Sequence, residues 1–364
     1  MTTIAEKQPK YAAIAGELRQ RIQSGELQVG DQLPTFDEMC ENYGVTPTTV
    51  VRVYGLLEQE ELVERLHGRG IFVAEQKRKI TGNIGIIGSK DFHRQHTNYY
   101  NRLMQGMEKA ARRSRQHLLS LGTDLDWEPD SLAKVDGVLI IGIDQVETLI
   151  EEIPGTTPVV SVLIAAQNVP SVTADDYQGA KLAVQYLLDH HHRRIACLVE
   201  ETPILPRRRL AGYQDAMLAA GIKIDPQWMR VAGCPENAKN GESTTQLYMD
   251  WGRAQMQQWL RHGWDKADCT AIFVQNEAAA FGVMQVLQEE EIKVPQQLSI
   301  IGFDGTDLCN YISPSLCAVQ VPLAEIGAKA VELLYQQIQG TVQEAHSVVI
   351  PPKINGGGSV TFAP

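Results

Sequence analysis

The 364-residue sequence has no apolar run approaching the ~20 residues that a membrane-spanning helix requires. Its opening segment, MTTIAEKQPKYAAIAGELRQ, mixes acids with bases and has no apolar core of the signal-peptide type, so export is not expected. Six cysteines (Cys40, Cys197, Cys234, Cys269, Cys309, Cys317) form neither a CxxC pair nor a metal-ligand spacing. They read as reduced, mostly buried thiols of a cytoplasmic protein, with no metal or cofactor expected. The segment Gly85-Ile86-Ile87-Gly88-Ser89-Lys90 lacks the G-x-G-x-x-G spacing that lets backbone approach a pyrophosphate. No P-loop, Ser/His/Asp set or paired carboxylates stand in a motif context, which sets a Rossmann-type enzyme well below a binding protein.

Positive charge is also scarce. The net charge is −11, which argues against a nonspecific nucleic-acid coat. Residues 1–80 carry 10 Lys/Arg against 12 Asp/Glu, and the rest of the chain nets −9. Any DNA binding must therefore gather its bases on one face, with modest, salt-sensitive affinity.

The length suggests two to three domains. Tyr11, Ile14, Leu18 and Ile22 recur at helical spacing and predict a first helix over about 9–24, stopped at Gly25. Thr35-Phe36-Asp37-Glu38 has the form of a capping box and opens a second helix that ends at Gly44. Thr46 before Pro47 marks a third start, an N-cap with proline at the first helical position. Its inner stripe is Val50, Tyr54 and Leu57, which turns Thr48, Thr49 and Arg52 outward. Leu62–Leu66 and Gly70–Ala74 then alternate as two strands around His67-Gly68-Arg69, a wing with Arg65 and Arg69 flanking its tip. Short polar residues and an arginine on an exposed helix start can reach phosphates and base edges. Taken singly, each could equally be a solvated helix residue; the ordered set of elements favours DNA.

Residues 10–74 resemble the winged helix-turn-helix of the GntR family, above all in LRQRIQSGELQVGDQLPT, GVTPTTV and LLEQEELVERLHGRGIFV. Where many members have arginines, this chain has Asp37, Pro47 and Val51. The T-P-T-T-V-x-R-x-Y pattern resembles instead a subgroup with N-P-N-T-V-x-R-A-Y. The DNA contacts that the resemblance implies are therefore Thr48, Thr49, Arg52, Arg65, His67, Gly68 and Arg69.

Domain boundaries are expected at 1–75, a linker at 76–82, and a large domain at 83–364. Lys77, Arg78 and Lys79 read equally as backbone-brushing bases or as solvated linker. From Asn83 onward, strand-like runs (Ile84–Ile87, Leu118–Leu121, Gly137–Ile141, Val159–Val162, Ile195–Val199, Ala271–Val274, Leu298–Phe303) alternate with amphipathic stretches. The helices so predicted cover Arg102–Arg115, Ala180–His190, Arg209–Ala220, Gln255–Arg261, Ala278–Glu289 and Ala324–Gln339. Repeated βα units imply parallel sheets covered on both faces, an α/β class, with ligands beyond the carboxyl ends of the strands. Those ends carry acids, amides and arginines, suited to a hydroxyl-rich ligand. Helix capping is the favoured role for Ser89, Asp175 and Asp176, and ligand contact for Asn276 and Asp304. His190-His191-His192 cannot all face one ion from a helix, and reads as a helix C-terminus.

This second part resembles the effector domain of the LacI/GalR repressors, in VDGVLIIG, DDYQGAKLAVQYLL, RRRLAGYQDAM, AIFVQNEAAAFGVMQVL, VPQQLSIIGFDG and PLAEIGAKAVELL. That family has a two-lobed fold like that of periplasmic binding proteins. The resemblance implies that Arg209, Asn276 and Asp304 face the cleft and hold a sugar. Glu277 and Gly305 stand where the family commonly has Asp. The loop around Asn98 and Tyr99 resembles a family segment that lines the cleft; a helix-start role stays equally open for those two. Tyr99, Tyr248 and Trp251 are candidate aromatics for stacking on a ring. The whole chain is thus similar to the arabinose-repressor kind of chimera. Expected are a repressor controlled by a sugar, a pseudo-palindromic DNA operator and a homodimer formed through the large domain. A purine or other non-sugar effector remains open, and a solute-binding protein for transport is disfavoured by residues 10–74.

Overall fold

The computed structural model describes residues 9–74, 80–89, 98–123, 126–201, 204–233, 244–341 and 347–363. The chain divides into two compact units, Met1–Lys79 and Ile80–Pro364. The division falls inside the segment expected as a linker, whose Lys77, Arg78 and Lys79 lie outside the described residues, as do His96, Thr97 and Cys234.

In the first unit, helices α1 (Lys10–Gln23), α2 (Phe36–Tyr43) and α3 (Pro47–Gln59) precede an antiparallel hairpin of β1 (Val63–Leu66) and β2 (Gly70–Val73). The capping box before α2 forms as expected. The Glu38 N–H donates to Thr35 Oγ1 at 3.4 Å, and the Thr35 N–H donates to Glu38 Oε2 at 2.7 Å. Gly44 ends α2 in the left-handed region at φ 59°, where only glycine sits without strain. Leu18 from α1, Met39 from α2 and Val50, Val53, Tyr54 and Leu57 from α3 close a core beneath Ile71 and Val73 of the hairpin. The Tyr54 hydroxyl donates to the Pro34 carbonyl, tying α3 to the turn before α2.

The second unit holds two sheets. Its first lobe runs β3 (Asn83–Gly88), α4 (Asn98–Arg113), β4 (His117–Thr123), β5 (Asp126–Trp127), β6 (Gly137–Ile141), α5 (Val146–Glu151), β7 (Val159–Val162) and β8 (Ser171–Ala174). The second lobe follows with α6 (Asp176–Asp189), β9 (Ile195–Glu200), α7 (Ile204–Ala219), β10 (Met229–Ala232), α8 (Thr244–His262), α9 (Trp264–Ala267), β11 (Ala271–Val274), α10 (Glu277–Glu289), β12 (Ser299–Gly302) and β13 (Cys317–Gln320). Then α11 (Leu323–Ile338) and β14 (Ser347–Ile350) return to the first lobe, and β15 (Lys353–Asn355) to the second.

The strand orders are β14-β8-β7-β6-β3-β4-β5 and β10-β9-β11-β12-β13-β15. Pairing is parallel except at the β4–β5 and β13–β15 edges. The chain therefore crosses between lobes at three places: Ala174 to Asp176, Gln320 to Leu323, and Ile350 to Lys353. Strands buried on both faces, such as β6, read as unbroken apolar runs because helices cover each side. Helix α4 packs closely on α11: a Cβ at Gly106 would lie 1.9 Å from the Ala324 carbonyl oxygen, so only glycine fits there.

Candidate ligand cleft and DNA-binding face

A cleft of about 280 Å³ opens where the strands of both lobes end. The first lobe contributes Ser89 after β3, Asn98, Tyr99 and Tyr100 from the start of α4, and Asp144 beyond β6. The second contributes Glu200 at the end of β9, Arg209 on α7, Tyr248 on α8, Gln275–Glu277 after β11 and Asp304 after β12. Arg209, Asn276, Asp304, Asn98 and Tyr99, which the resemblance places in the cleft, line this one cavity.

Arg209 is its centre. The Nε–H donates to Asp176 Oδ1 at 2.8 Å, Nη1 donates to the Gln275 backbone carbonyl, and Nη2 lies 3.4 Å from Asp304 Oδ1. The guanidinium also stacks on Phe303, with its carbon 3.8 Å from the ring centroid. Burial acts to lower its pKa, and the carboxylates of Asp176 and Asp304 more than reverse this, so it stays cationic. Asp176, expected as a helix-capping residue, is instead this buried partner; the cap of α6 is Asp175, which accepts from the Gln178 N–H at 3.0 Å.

Burial pushes the Asp304 carboxyl up to about 7, opposed by Arg209. The residue occupies the left-handed region at φ 80°, costly for a non-glycine and held here because its carbonyl accepts from the Val321 N–H at 3.1 Å. Burial and the Asp304 carboxylate hold the Tyr99 hydroxyl well above its usual pKa, and both residues line the same cavity. Tyr99 and Tyr100 meet edge to face at 5.4 Å.

Asn276 serves two purposes. Its Oδ1 accepts from the Ala279 N–H at 2.8 Å and caps α10, while its Nδ2 has no hydrogen-bond partner among the described residues. The two departures from the resembling family have physical reasons. Buried Glu277 accepts from the Thr306 N–H and hydroxyl at 2.7 and 2.6 Å, fixing the loop that follows Asp304. A Cβ at Gly305, which has φ 59°, would stand 2.7 Å from Gln320 Cα, leaving no place for a side chain.

Of the candidate aromatics, Tyr248 lines the cleft, whereas Trp251 is core: it is 5% exposed and its indole donates to the Gly233 carbonyl. His190 closes α6 as expected, its ring bonding the Tyr186 carbonyl at 2.7 Å. His192 instead bridges the Thr270 hydroxyl, just before β11, and the Thr361 carbonyl. Glu200, Gln275 and Asp144 were not singled out in the sequence, although Glu200 and Gln275 end or follow apolar strand runs, the same signal that exposed Asn276.

The first unit presents a separate surface. On α3, Thr48 and Arg52 are exposed, and Thr49 is half-buried with its hydroxyl 3.1 Å from that of Thr46. Thr46 occupies the N-cap position but makes no side-chain capping bond. His67, Gly68 and Arg69 are exposed at the hairpin tip, with Gly68 left-handed at φ 74°. The four arginines Arg19, Arg52, Arg65 and Arg69 are not equivalent. Arg65 is held by Glu58 at 2.9 Å and Arg19 by Glu60, whereas Arg52 and Arg69 have no carboxylate partner among the described residues. Positive charge is thus available at α3 and at the wing tip, despite the acidic total.

Residues 10–73 match the gntR family of bacterial regulatory proteins, and residues 184–360 match the periplasmic binding protein-like domain. The ribose operon repressor of Escherichia coli is 29% identical over 277 residues, covering 72% of this chain and 78% of that protein. The transcriptional repressor CytR of Escherichia coli is 34% identical over 212 residues, 57% of each chain. The structure of the transcriptional regulator CelR in complex with cellobiose shares the fold, with a TM-score of 0.65 over 96% of this chain and 98% of that one, at 21% identity. With a segment that matches the gntR family joined to one that matches the periplasmic binding protein-like domain, and with repressors among its relatives, the chain is a transcriptional regulator rather than an enzyme.

Proposed function

We propose that the protein is a cytoplasmic repressor whose affinity for a specific DNA site is set by a sugar held in the cleft of the larger unit. The observation that carries this reading is the anchor at the strand ends. One edge of the Arg209 guanidinium and the Asp304 carboxylate face the same cavity as the Asn276 amide and the Tyr99 ring. A planar donor, a carboxylate acceptor, an amide and an aromatic surface match the hydroxyls and the apolar face of a sugar ring. The relatives point the same way: one regulates a ribose operon and a structural neighbour is a cellobiose complex.

In this reading Arg209, Asn276 and Asp304 hold the sugar from the second lobe, and Asn98 and Tyr99 from the first. On DNA, Thr48, Thr49 and Arg52 approach the major groove while His67, Gly68 and Arg69, with Arg65 beside them, follow the neighbouring backbone. Two copies pair through the larger unit to read a pseudo-palindromic operator. Ligand-driven movement of the lobes changes the fit of half-site spacing.

The test is a thermal-shift screen of the full chain against monosaccharides, disaccharides, sugar phosphates and nucleobases, followed by DNA binding to duplexes selected from a random pool. A ligand at a hundredfold excess over its Kd should stabilise the protein by ~2.7 kcal/mol. That shift should vanish in Asp304→Ala, and the ligand should alter DNA affinity in the parent. A sugar that leaves DNA affinity unchanged, or binds Asp304→Ala as well as the parent, refutes the reading.

A further inference from the structure

The carboxylate of Glu200, at the end of β9, is only half satisfied. Glu200 is 2% exposed. Its Oε2 accepts from the Tyr248 hydroxyl at 3.0 Å and from Gln275 Nε2 at 3.2 Å. Gln275 clamps it from the other side as well, since Gln275 Oε1 accepts from the Glu200 N–H at 2.6 Å. Oε1 is buried and has no hydrogen-bond partner among the described residues. Leaving such an acceptor unpaired is costly to a fold, so it stands out in a buried site. Glu200 lines the same cleft as Arg209 and Asp304. The two anchors are mechanically joined, because the Gln275 side chain grips Glu200 while its backbone carbonyl accepts from Arg209.

The cleft's charge gives a second, independent indication. Asp144, Glu200, Glu277 and Asp304 all line it, against one guanidinium, Arg209, which Asp176 already engages. No other lysine or arginine lines the cavity among the described residues. A wall of this sign repels an anion and favours hydrogen-bond donors.

We infer that Glu200 is a second ligand-anchoring carboxylate, held in place by Tyr248 and Gln275, and that the cleft selects uncharged, donor-rich sugars and rejects their phosphate esters. This rests on the sugar-sensor reading above and specifies its ligand class. A ligand hydroxyl donates to Glu200 Oε1 and supplies the partner that the empty fold lacks.

The experiment is calorimetric titration of the full chain and of Glu200→Gln with ribose, glucose and cellobiose, and with ribose 5-phosphate and glucose 6-phosphate, alongside melting curves without ligand. The expected result is binding of at least one neutral sugar, with its phosphate ester failing to bind. The same sugar should bind Glu200→Gln about fivefold or more weakly, the difference between a charged and a neutral hydrogen bond. Without ligand, Glu200→Gln should melt no lower than the parent, because the change removes a buried charge while the amide oxygen still accepts from Tyr248 and Gln275. A neutral sugar that binds Glu200→Gln as tightly as the parent overturns the role of Glu200 and leaves the sugar reading intact. So does a lower melting point with unchanged affinity, the signature of a purely structural carboxylate. A phosphate ester binding as well as its parent sugar overturns the charge selection. Binding of none of these sugars by the parent removes the sugar reading and this inference with it.

Discussion

Removing the Asp176 carboxylate should destabilise the larger unit more than any comparable change at its surface. In Asp176→Ala, Arg209 loses its 2.8 Å partner while its side chain stays 7% exposed. Breaking a buried pair from one side costs ~3–5 kcal/mol, because the charge that remains has no adequate replacement. Here Asp304, 3.4 Å away, continues to compensate the guanidinium, which places the loss at the lower end, about 3 kcal/mol. For a unit of this size each kcal/mol lowers the midpoint by ~2 °C, so the expected fall is about 6 °C. The assay is unusually clean: all five tryptophans (Trp127, Trp228, Trp251, Trp259, Trp264) lie beyond residue 80, so their fluorescence reports the larger unit alone. Asp176→Asn keeps an acceptor for the Arg209 Nε–H and should lose about half as much. A fall of less than ~2 °C in Asp176→Ala would show that the pair contributes little and that the surrounding cavity, not the carboxylate, holds Arg209.

Two further outcomes follow from the same geometry. On DNA, Arg52→Ala or Arg69→Ala should weaken binding and lower the salt slope by ~1 each, whereas Arg65→Ala should change both less because Glu58 already neutralises that arginine; anisotropy titrations at several salt concentrations giving equal losses at all three would refute the ranking. On ligand binding, Asp304 titrates near neutrality because burial holds its carboxyl up to about 7. A sugar hydroxyl donating to the carboxylate needs the ionised form, so affinity should rise between pH 6 and pH 8 and flatten above; titration calorimetry showing a flat profile across that range would exclude Asp304 as an ionised acceptor.

Most of the architecture was legible in the sequence because its signals are local. The capping box at Thr35 and the left-handed Gly44 depend on a few consecutive residues, and both form where expected. The central strands are apolar throughout because both faces are covered, which made β6, β9 and β11 readable almost to the residue. What was misplaced lies mainly at helix starts. Helices α4, α7 and α8 begin at Asn98, Ile204 and Thr244, before the predicted Arg102, Arg209 and Gln255. Their first turns give residues to the cleft (Tyr99 and Tyr100, Leu205 and Pro206, Thr245 and Tyr248), so they lack the apolar stripe from which a helix is recognised. The same cause hid part of the site. Asp176 sits where a capping residue is expected and Glu200 at the end of an apolar strand; only the fold brings one to Arg209 and leaves the other half unpaired inside the cleft.

The cleft and the lobe crossings share residues, and this is the physical basis on which ligand can bias shape. Asp176 begins α6 immediately after the first crossing, and Asp304 receives a hydrogen bond from Val321 within the second. The first and third crossings are themselves bonded, through the Asp175 N–H and the Ile350 carbonyl at 3.3 Å. Beside the second crossing, Arg102 on α4 pairs with Asp307 just beyond the Asp304 loop and links the two lobes. A ligand that draws on Arg209 and Asp304 in the proposed reading therefore touches groups bonded to residues at two of the crossings, without any relay through the sheets. Its leverage is bounded by its differential affinity for the two lobe arrangements, since equal binding to both shifts nothing. In the proposed sugar reading, contacts come from both lobes at once, from Tyr99 on one side and Arg209, Asp304 and Glu200 on the other. Such contacts make that difference large because they are complete only when the lobes are together.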